Sequence, residues 1–316
     1  MDYNGYAPLP IKINLAVILI ITMNSQPEMP YTAKQDTLSI SGAENSPTCI
    51  VCRGTSFSPL FSQNGWNVVA CESCGQGIIH PFPSKLDLDK LYDRHYFVER
   101  YNESLPFEGG RFLKRIKDES HRVRFIKKYK KAGSLLDVGC GRGYFAYAAQ
   151  KAGYSVSVQD ISRANEEYLA GKMGLRTFFC NLDELHGVSE KSFDVITLWH
   201  TLEHHLSPEK SVQDCMGLLK SGGLIVVEVP NYGSIDARKF GGDWPNWDLP
   251  FHLHHFTKTS FISFLRNQQL QVLGVKTYLS EYIMTKMRKS LILAPFARII
   301  ARRLDGGSIA VVCRKP

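Results

Sequence analysis

From Ser134 to the C-terminus, short apolar runs alternate with longer amphipathic stretches. SLLDVG (134–139) is apolar and ends in glycine, SVSVQD (155–160) alternates and ends in an acid, and RTFFCN (176–181) is short. FDVITLWH (193–200) and GLIVVEVP (223–230) are apolar almost throughout, the pattern of strands covered on both faces. LQVLGVKTY (270–278) and SIAVVCRK (308–315) bring the predicted strands to seven. Helical patterns separate the first five, so the region reads as an α/β fold with a mostly parallel sheet between helical layers. Upstream, residues 85–131 read as amphipathic helix, with Tyr92, Tyr96, Phe97 and Tyr101 among the aromatics. Residues 24–47 carry no apolar period and are rich in Ser, Pro, Thr, Gln and Glu, the composition of a disordered lead-in.

With 316 residues the chain has room for one large domain and a small one. INLAVILIITM (13–23) is apolar but shorter than the roughly 20 residues that cross a bilayer. No small-x-small cleavage site follows it and Asp2 weakens a basic leader, so a cleaved signal peptide is a poor reading. The expectation is a true start at Met23; an uncleaved membrane-associating segment and a short buried element are the alternatives. Net charge is +8 and unevenly spread. Ten lysines and arginines lie between Arg111 and Lys131 against Asp118 and Glu119 alone. A second cluster, Lys286, Arg288, Lys289, Arg298, Arg302 and Arg303, meets no acid until Asp305. Such patches attract nucleic acid, nucleotide-linked substrates or acidic lipid, or are simply solvated helix faces.

Four of the eight cysteines form two knuckles, Cys49-x2-Cys52 and Cys71-x2-Cys74, with eighteen residues between them. Four thiolates so spaced can close a tetrahedron around Zn²⁺, and a four-sulfur site is structural because no coordination position stays open. Gly54 and Gly75, just past the knuckles, are expected at positive φ. A redox pair or four unrelated thiols are the competing readings. Cys140, Cys180, Cys215 and Cys313 read as small buried residues. A zinc–thiolate site implies a reducing compartment, hence an expected cytoplasmic location. The organisation that follows is an extension (1–47), a four-cysteine zinc ribbon (48–84), a helical cap or linker (85–131) and an α/β domain (132–316).

The segment LLDVGCGRGYFAYAAQKAGYSVSVQD runs a strand into Gly139-Cys140-Gly141-Arg142-Gly143 and then a helix. Glycines let a ligand approach the backbone, and the helix start offers free N–H groups. Tyr144 stands where a dinucleotide motif wants its last glycine, and Asp160 closes the next strand seventeen residues beyond Gly143. Here the chain resembles the class I S-adenosylmethionine (SAM)-dependent methyltransferases. FDVITLWHTLEHHLSPEKSVQDCMGLLKSGGLIVVEVPN looks like that family's strand 4, helix, Leu-Lys-x-Gly-Gly turn and strand 5, so the resemblance covers residues 132–316. The knuckles and the tyrosine-rich segment look like a subgroup joining a zinc ribbon to this domain, with relatives that modify sugars or quinone precursors. The resemblance implies a seven-stranded Rossmann-like sheet of order 3214576 with its last strand antiparallel. It implies that Gly139, Gly141 and Gly143, with Cys140 between them, line the methionine and ribose of SAM. Asp137 would approach the methionine ammonium, Asp160 would hold the ribose, Ile161 would lie on the adenine, and Asn181 and Leu182 would border it. His200, just past strand 4, would sit near the sulfonium.

WHTLEHH (199–205) contains H-x-x-E-H, the spelling of inverted zinc peptidases. Those need both histidines on one helix, whereas here the stretch leaves a strand and the next helix begins only near Pro208, with Ser207 as its cap. Three readings remain. His204 or His205 is a general base; Glu203 and His204, with His200, bind a divalent ion, as a similar E-H pair in the ubiquinone-pathway O-methyltransferases suggests; or Glu203 and His204 brace the loop under the cofactor. A second histidine group, in GGDWPNWDLPFHLHHFTKTSF, carries His252, His254 and His255 behind Trp244 and Trp247. It follows strand 5 at the carboxyl edge of the sheet, a natural acceptor wall. His252 and His254 would share a face of an extended segment, and His252 is the favoured base.

The expected function is SAM-dependent methylation of a hydroxyl, with carbon second, on a small-molecule, saccharide, quinone-like or lipid-linked acceptor. Trp199-His200-Thr201-Leu202 replaces the N/D-P-P-Y/F loop of nucleobase N-methyltransferases. The basic apolar stretch 286–304 could lie on a membrane surface, or cover the sheet between strands 6 and 7. Two further hypotheses stand beside it: an RNA methyltransferase gripping phosphates with ribbon and basic helix, and a non-catalytic SAM-binding module.

Overall fold

The computed structural model describes residues 47–63, 65–83, 109–185, 192–290 and 293–316. The apolar run at 13–23 and the aromatics Tyr92, Tyr96, Phe97 and Tyr101 lie outside these residues.

Antiparallel strands β1 (Phe57–Gln63), β2 (Trp66–Cys71) and β3 (Gly77–His80) form the ribbon. Helices α1 (Gly109–Asp118) and α2 (Ser120–Lys127) precede the larger unit. That unit runs β4 (Gly133–Val138), α3 (Tyr144–Lys151), β5 (Tyr154–Asp160), a π-helical turn (Glu167–Lys172), β6 (Arg176–Phe179), β7 (Phe193–Trp199), α4 (Pro208–Leu218) and β8 (Leu219–Pro230). It continues with α5 (Ile235–Phe240), the two-residue β9 (His254–His255), α6 (Lys258–Asn267), β10 (Gln271–Thr277), α7 (Glu281–Arg288), α8 (Ala297–Ala301) and β11 (Ser308–Arg314). Its sheet has the order β10-β11-β8-β7-β4-β5-β6. β4 pairs in parallel with β5 and β7, and β11 is antiparallel to both β10 and β8. All seven expected strands are present, and the order is the expected one. Successive side chains on each strand feed opposite layers. Leu136, Ile196, Ile225 and Val227 pack with Val212 of α4 and Phe261 and Phe264 of α6. Leu135, Val195 and Val226 pack with Ile126 of α2 and Phe145 of α3.

Residues 286–304 do not form one amphipathic helix: α7 and α8 are separate, joined through a 3₁₀ turn at Ala294–Phe296. Ile283, Met287, Ala297 and Ile300 pack against one another and Ile235 of α5. Among the described residues, no helix is long and apolar enough to cross a membrane.

The ribbon shares a sheet with the larger unit. β9, from the long connection after β8, joins as a fourth strand, with Gly77 opposite His255 and Ile78 opposite His254. Sequence patterning does not foresee this pairing, because two residues carry no periodicity.

Candidate active site

Between β4 and α3 the chain turns through Gly139, Gly141 and Gly143 at φ 65°, 51° and 69°. A side chain in this left-handed region costs about 1–2 kcal/mol. Space is short as well: a Cβ on Gly139 would lie 2.5 Å from Thr201, and one on Gly143 2.4 Å from Leu169. The N–H groups of Gly139 and Cys140 donate to the Gln159 carbonyl at 2.8 and 3.1 Å. Gly141 N–H donates to one oxygen of Asp160 at 2.8 Å, and Ser162 N–H to the other at 2.9 Å. Asp160 therefore fastens the loop, and its remaining lone pairs can still accept hydroxyls. Burial raises its pKa. Ile161 beside it is 57% exposed, an apolar shelf at the end of β5. Asp137 is buried and accepts from Thr197 Oγ1 at 2.7 Å; burial pushes its pKa up to about 7. Asn181 is tied to Glu184 at 2.7 Å, and Leu182 is buried beneath it. Burial pushes the Cys140 thiol well up, so it is no nucleophile.

At the exit of β7, His200 takes φ 52°, a left-handed conformation rarely adopted by a side chain of this size. A 3₁₀ turn, Leu202–His204, follows, and α4 starts at Pro208 with Ser207 Oγ accepting from Lys210 N–H. His200 and His204 thus do not share a helix, and no peptidase site forms. His200 instead bridges two carboxylates: Nδ1 lies 3.3 Å from Glu203 and Nε2 3.0 Å from Glu228. Burial opposes the cation, but the two acids outweigh it and raise the pKa to about 9. An imidazolium cannot accept a further proton at neutral pH, so a role as base does not fit His200.

Glu228 also receives Arg122 Nη2 at 2.6 Å and the Tyr278 hydroxyl. Against the cost of burial, His200 and Arg122 hold it well below the usual carboxylate range. The Arg122 guanidinium lies 4.9 Å over the Trp199 ring. Sequence reasoning missed this network. Glu228 had a signal, as the lone acid in an apolar strand; Arg122 was hidden among the ten basic residues of its stretch.

The second histidine group packs onto the same exit. Phe251 and His252 N–H groups both donate to the Asp248 carbonyl, at 2.9 and 3.0 Å, so the chain is a turn there and extended only at His254–His255. His252 and His254 consequently do not share a face. His252 approaches His204 (ring centroids 4.7 Å) and His255 (6.4 Å), whereas His254 faces Phe82 and Phe256. Two hydrogen bonds sew this wall to the β7 exit: Leu253 N–H to the Glu203 carbonyl and His204 Nδ1–H to the Phe251 carbonyl, both 2.9 Å. His252 Nδ1–H donates to the Asn246 carbonyl at 2.9 Å, which leaves Nε2 as the ring nitrogen that exchanges a proton. That nitrogen lies 3.4 Å from Asp248 and 3.9 Å from Glu203.

Glu203 is fully buried, and neither carboxylate oxygen makes a hydrogen bond; the His200 contact is an ion pair off the hydrogen-bond direction. Ligand atoms of Glu203, His204 and His252 all lie within 4.8 Å of one another. Burial, and then His252, push His204 down to about 3, so it is a poor base. Burial also pushes His205 down to about 4, and it bonds Ser211 Oγ at 2.5 Å.

The four ribbon cysteines are free thiols whose sulfurs lie within 4.8 Å of one another. The Cys49–Cys74 and Cys52–Cys71 sulfur pairs are each 3.4 Å apart. Tetrahedral zinc with bonds of about 2.3 Å places sulfurs about 3.8 Å apart, so the donor set and its spacing fit. Gly75 takes φ 70° as expected, but in the first knuckle Arg53, not Gly54, is left-handed (φ 64°). Gly54 is needed for room: a Cβ there would sit 3.3 Å from Cys52 Sγ.

An open α/β sheet of this order, with a glycine turn after its first strand and an acid closing the second, defines the class I SAM-dependent methyltransferase fold. A family profile described as "Methyltransferase domain" matches residues 108–275. The chain belongs to that family. It is 30% identical over 136 residues to a ubiquinone biosynthesis O-methyltransferase of Maricaulis maris, covering 39% of this chain and 52% of that one. It is 28% identical over 158 residues to the protein so named in Xanthomonas campestris, covering 46% and 66%. The chain thus spans about half to two thirds of these relatives. Among solved structures, the 1,6-didemethyltoxoflavin N1-methyltransferase of Burkholderia thailandensis, with bound 1,6-didemethyltoxoflavin and S-adenosylhomocysteine, superposes with TM-score 0.50 at 16% identity, over 82% of this chain and 99% of that one.

Proposed function

We propose that this protein is a SAM-dependent methyltransferase that acts on a hydroxyl of a small acceptor held between the glycine loop and the wall at 246–256. The observation that carries the reading is the continuity of the two regions. Thr201 packs against Gly139, and two residues on, Glu203 meets the histidine wall. The crevice fits the cofactor on three counts. Left-handed glycines put no side chain into the turn, Ile161 offers an apolar shelf for a base, and Asp160 and Asp137 supply carboxylates for ribose hydroxyls and an ammonium. Bound there, SAM would supply a methyl group already activated by its sulfonium.

The protein's share of the work is to align the acceptor, exclude water and take up one proton. His252 is the side chain placed for the proton. With Nδ1–H committed to the Asn246 carbonyl, a proton would be taken up at Nε2, where Asp248 and Glu203 stand ready to stabilise the imidazolium. His200 stays charged and fixes the loop through Glu203 and Glu228. One observation favours a second reading. The buried, hydrogen-bond-free carboxylate of Glu203, beside two histidines that both give Nδ1–H to carbonyls, is also a donor set for a divalent ion that would position the acceptor. The structural zinc belongs to Cys49, Cys52, Cys71 and Cys74 in either reading.

Calorimetry with S-adenosylhomocysteine should show binding that Asp160→Asn weakens; absence of heat with the wild-type chain would sink the proposal. Labelled methyl transfer onto a panel of phenols and sugar nucleotides, with and without chelator and added Mg²⁺, separates the two readings. Loss with chelator and recovery with Mg²⁺ selects the ion. Retention of RNA at low salt, with turnover on RNA alone, would replace the small acceptor.

A further inference from the structure

The ribbon grips the acceptor wall at every level of its construction. Backbone pairing puts Gly77 and Ile78 of β3 opposite His255 and His254, and Ile79 N–H donates to the Leu253 carbonyl at 3.0 Å. Leu253 N–H in turn donates to the Glu203 carbonyl. One residue, Leu253, therefore links the ribbon to the backbone of Glu203. Packing repeats the link: Phe61 of β1 stacks on Trp247 with centroids 4.5 Å apart and planes 14° apart, in a cluster with Val68 and Trp244. Ile79 and Leu253 are both fully buried against each other. The knuckles are fastened too. The Tyr232 hydroxyl donates to the Gly75 carbonyl, and Asn267 Nδ2 donates to the Val51 carbonyl at 2.6 Å. By contrast, among the described residues the backbone of the glycine loop is hydrogen-bonded by β5 and Asn165.

We infer that the four-cysteine ribbon is the positioning element of the acceptor wall: metal held by Cys49, Cys52, Cys71 and Cys74 fixes β3, and β3 holds His252 against Glu203 and His204. The ribbon then governs acceptor geometry and leaves the cofactor crevice alone. Gly77 is the most sensitive point of contact, since a Cβ there would fall 2.9 Å from His255 Cβ and 3.3 Å from its carbonyl oxygen. This inference rests on reading 246–256 as the acceptor wall, but the coupling itself can be measured without an acceptor.

Native-state hydrogen exchange on the full chain tests it, with the ribbon loaded, stripped by a zinc chelator, and carrying Gly77→Ala with zinc kept. Ile79 N–H reports the ribbon-to-wall bond, Leu253 N–H the wall-to-Glu203 bond, and Gly141 N–H the cofactor crevice. Stripping or Gly77→Ala should speed exchange at Leu253 about tenfold or more while Gly141 changes less than about twofold. S-adenosylhomocysteine affinity, by calorimetry, should stay within about twofold. Unchanged protection at Leu253 in Gly77→Ala, or after stripping that frees Ile79, overturns the inference, as does cofactor affinity falling in step with Leu253. Should the wild-type chain show no affinity for S-adenosylhomocysteine, the proposed function fails while the Leu253 response still decides the coupling.

Discussion

Among the described residues, the backbone of the glycine loop is hydrogen-bonded from within twenty-five residues of it, through Gln159, Asp160 and Asn165. The histidine wall is assembled from three separated segments: the β7 exit at 199–205, the turn at 246–256 and strand β3 of the ribbon. The first region is shaped by local backbone, where left-handed turns and a strand-end acid leave little choice. The second is shaped by contacts between distant side chains, several of them buried and charged.

The sharpest break between the halves is expected at His252. His252→Ala should lower turnover on a hydroxyl acceptor by about 10²-fold or more, with S-adenosylhomocysteine affinity unchanged in calorimetry. Asp160→Asn should do the reverse, weakening that affinity by about tenfold as a charge-assisted acceptor is lost. A third measurement probes the bridge between them. The pKa of His200 is raised from 6.5 to about 9, so its stabilising contribution is complete below the unfolded value and is lost as pH rises through about 9. Denaturant unfolding should show stability falling by about 3 kcal/mol across that range, and Glu228→Gln should flatten the slope. Asp137 acts in the opposite sense to an ordinary salt-bridged carboxylate. Its pKa is raised from 3.8 to about 7, so the charged form costs stability as pH climbs through that window. Asp137→Asn should raise the melting point of the ligand-free protein by a few degrees at pH 8 and leave it unchanged near pH 4. Smallest of all, Arg53→Ala removes an exposed pair with Glu209 and should cost less than about 0.5 kcal/mol.

Much of this was legible in the residues. The strand endings at Val138, Asp160 and Trp199 fall within a residue of where apolar patterning stops, because a buried strand ends where polar chain must reach water. Ser207 and Pro208 marked the start of α4, and Cys49, Cys52, Cys71 and Cys74 marked their own cluster. The alternation assumed for His252 and His254 failed because a turn anchored on the Asp248 carbonyl occupies the preceding residues, and turns of that kind leave no apolar period. Gly54 was credited with a dihedral that Arg53 adopts, since a glycine marks either freedom or lack of room and spacing alone does not say which.

The sequence by itself determined the sheet, the glycine turn with its strand-end acid and the four-thiol cluster, all of them features whose partners are near in the chain or repeat with a fixed period. Tertiary structure alone decided that His200 would be held as a cation between Glu203 and Glu228, and that Arg122 would turn inward to Glu228. It also decided that His255 would pair with Gly77. The physical reason is that a charge state and a strand partner both depend on which distant groups burial brings within a few ångströms, and no local pattern records that distance.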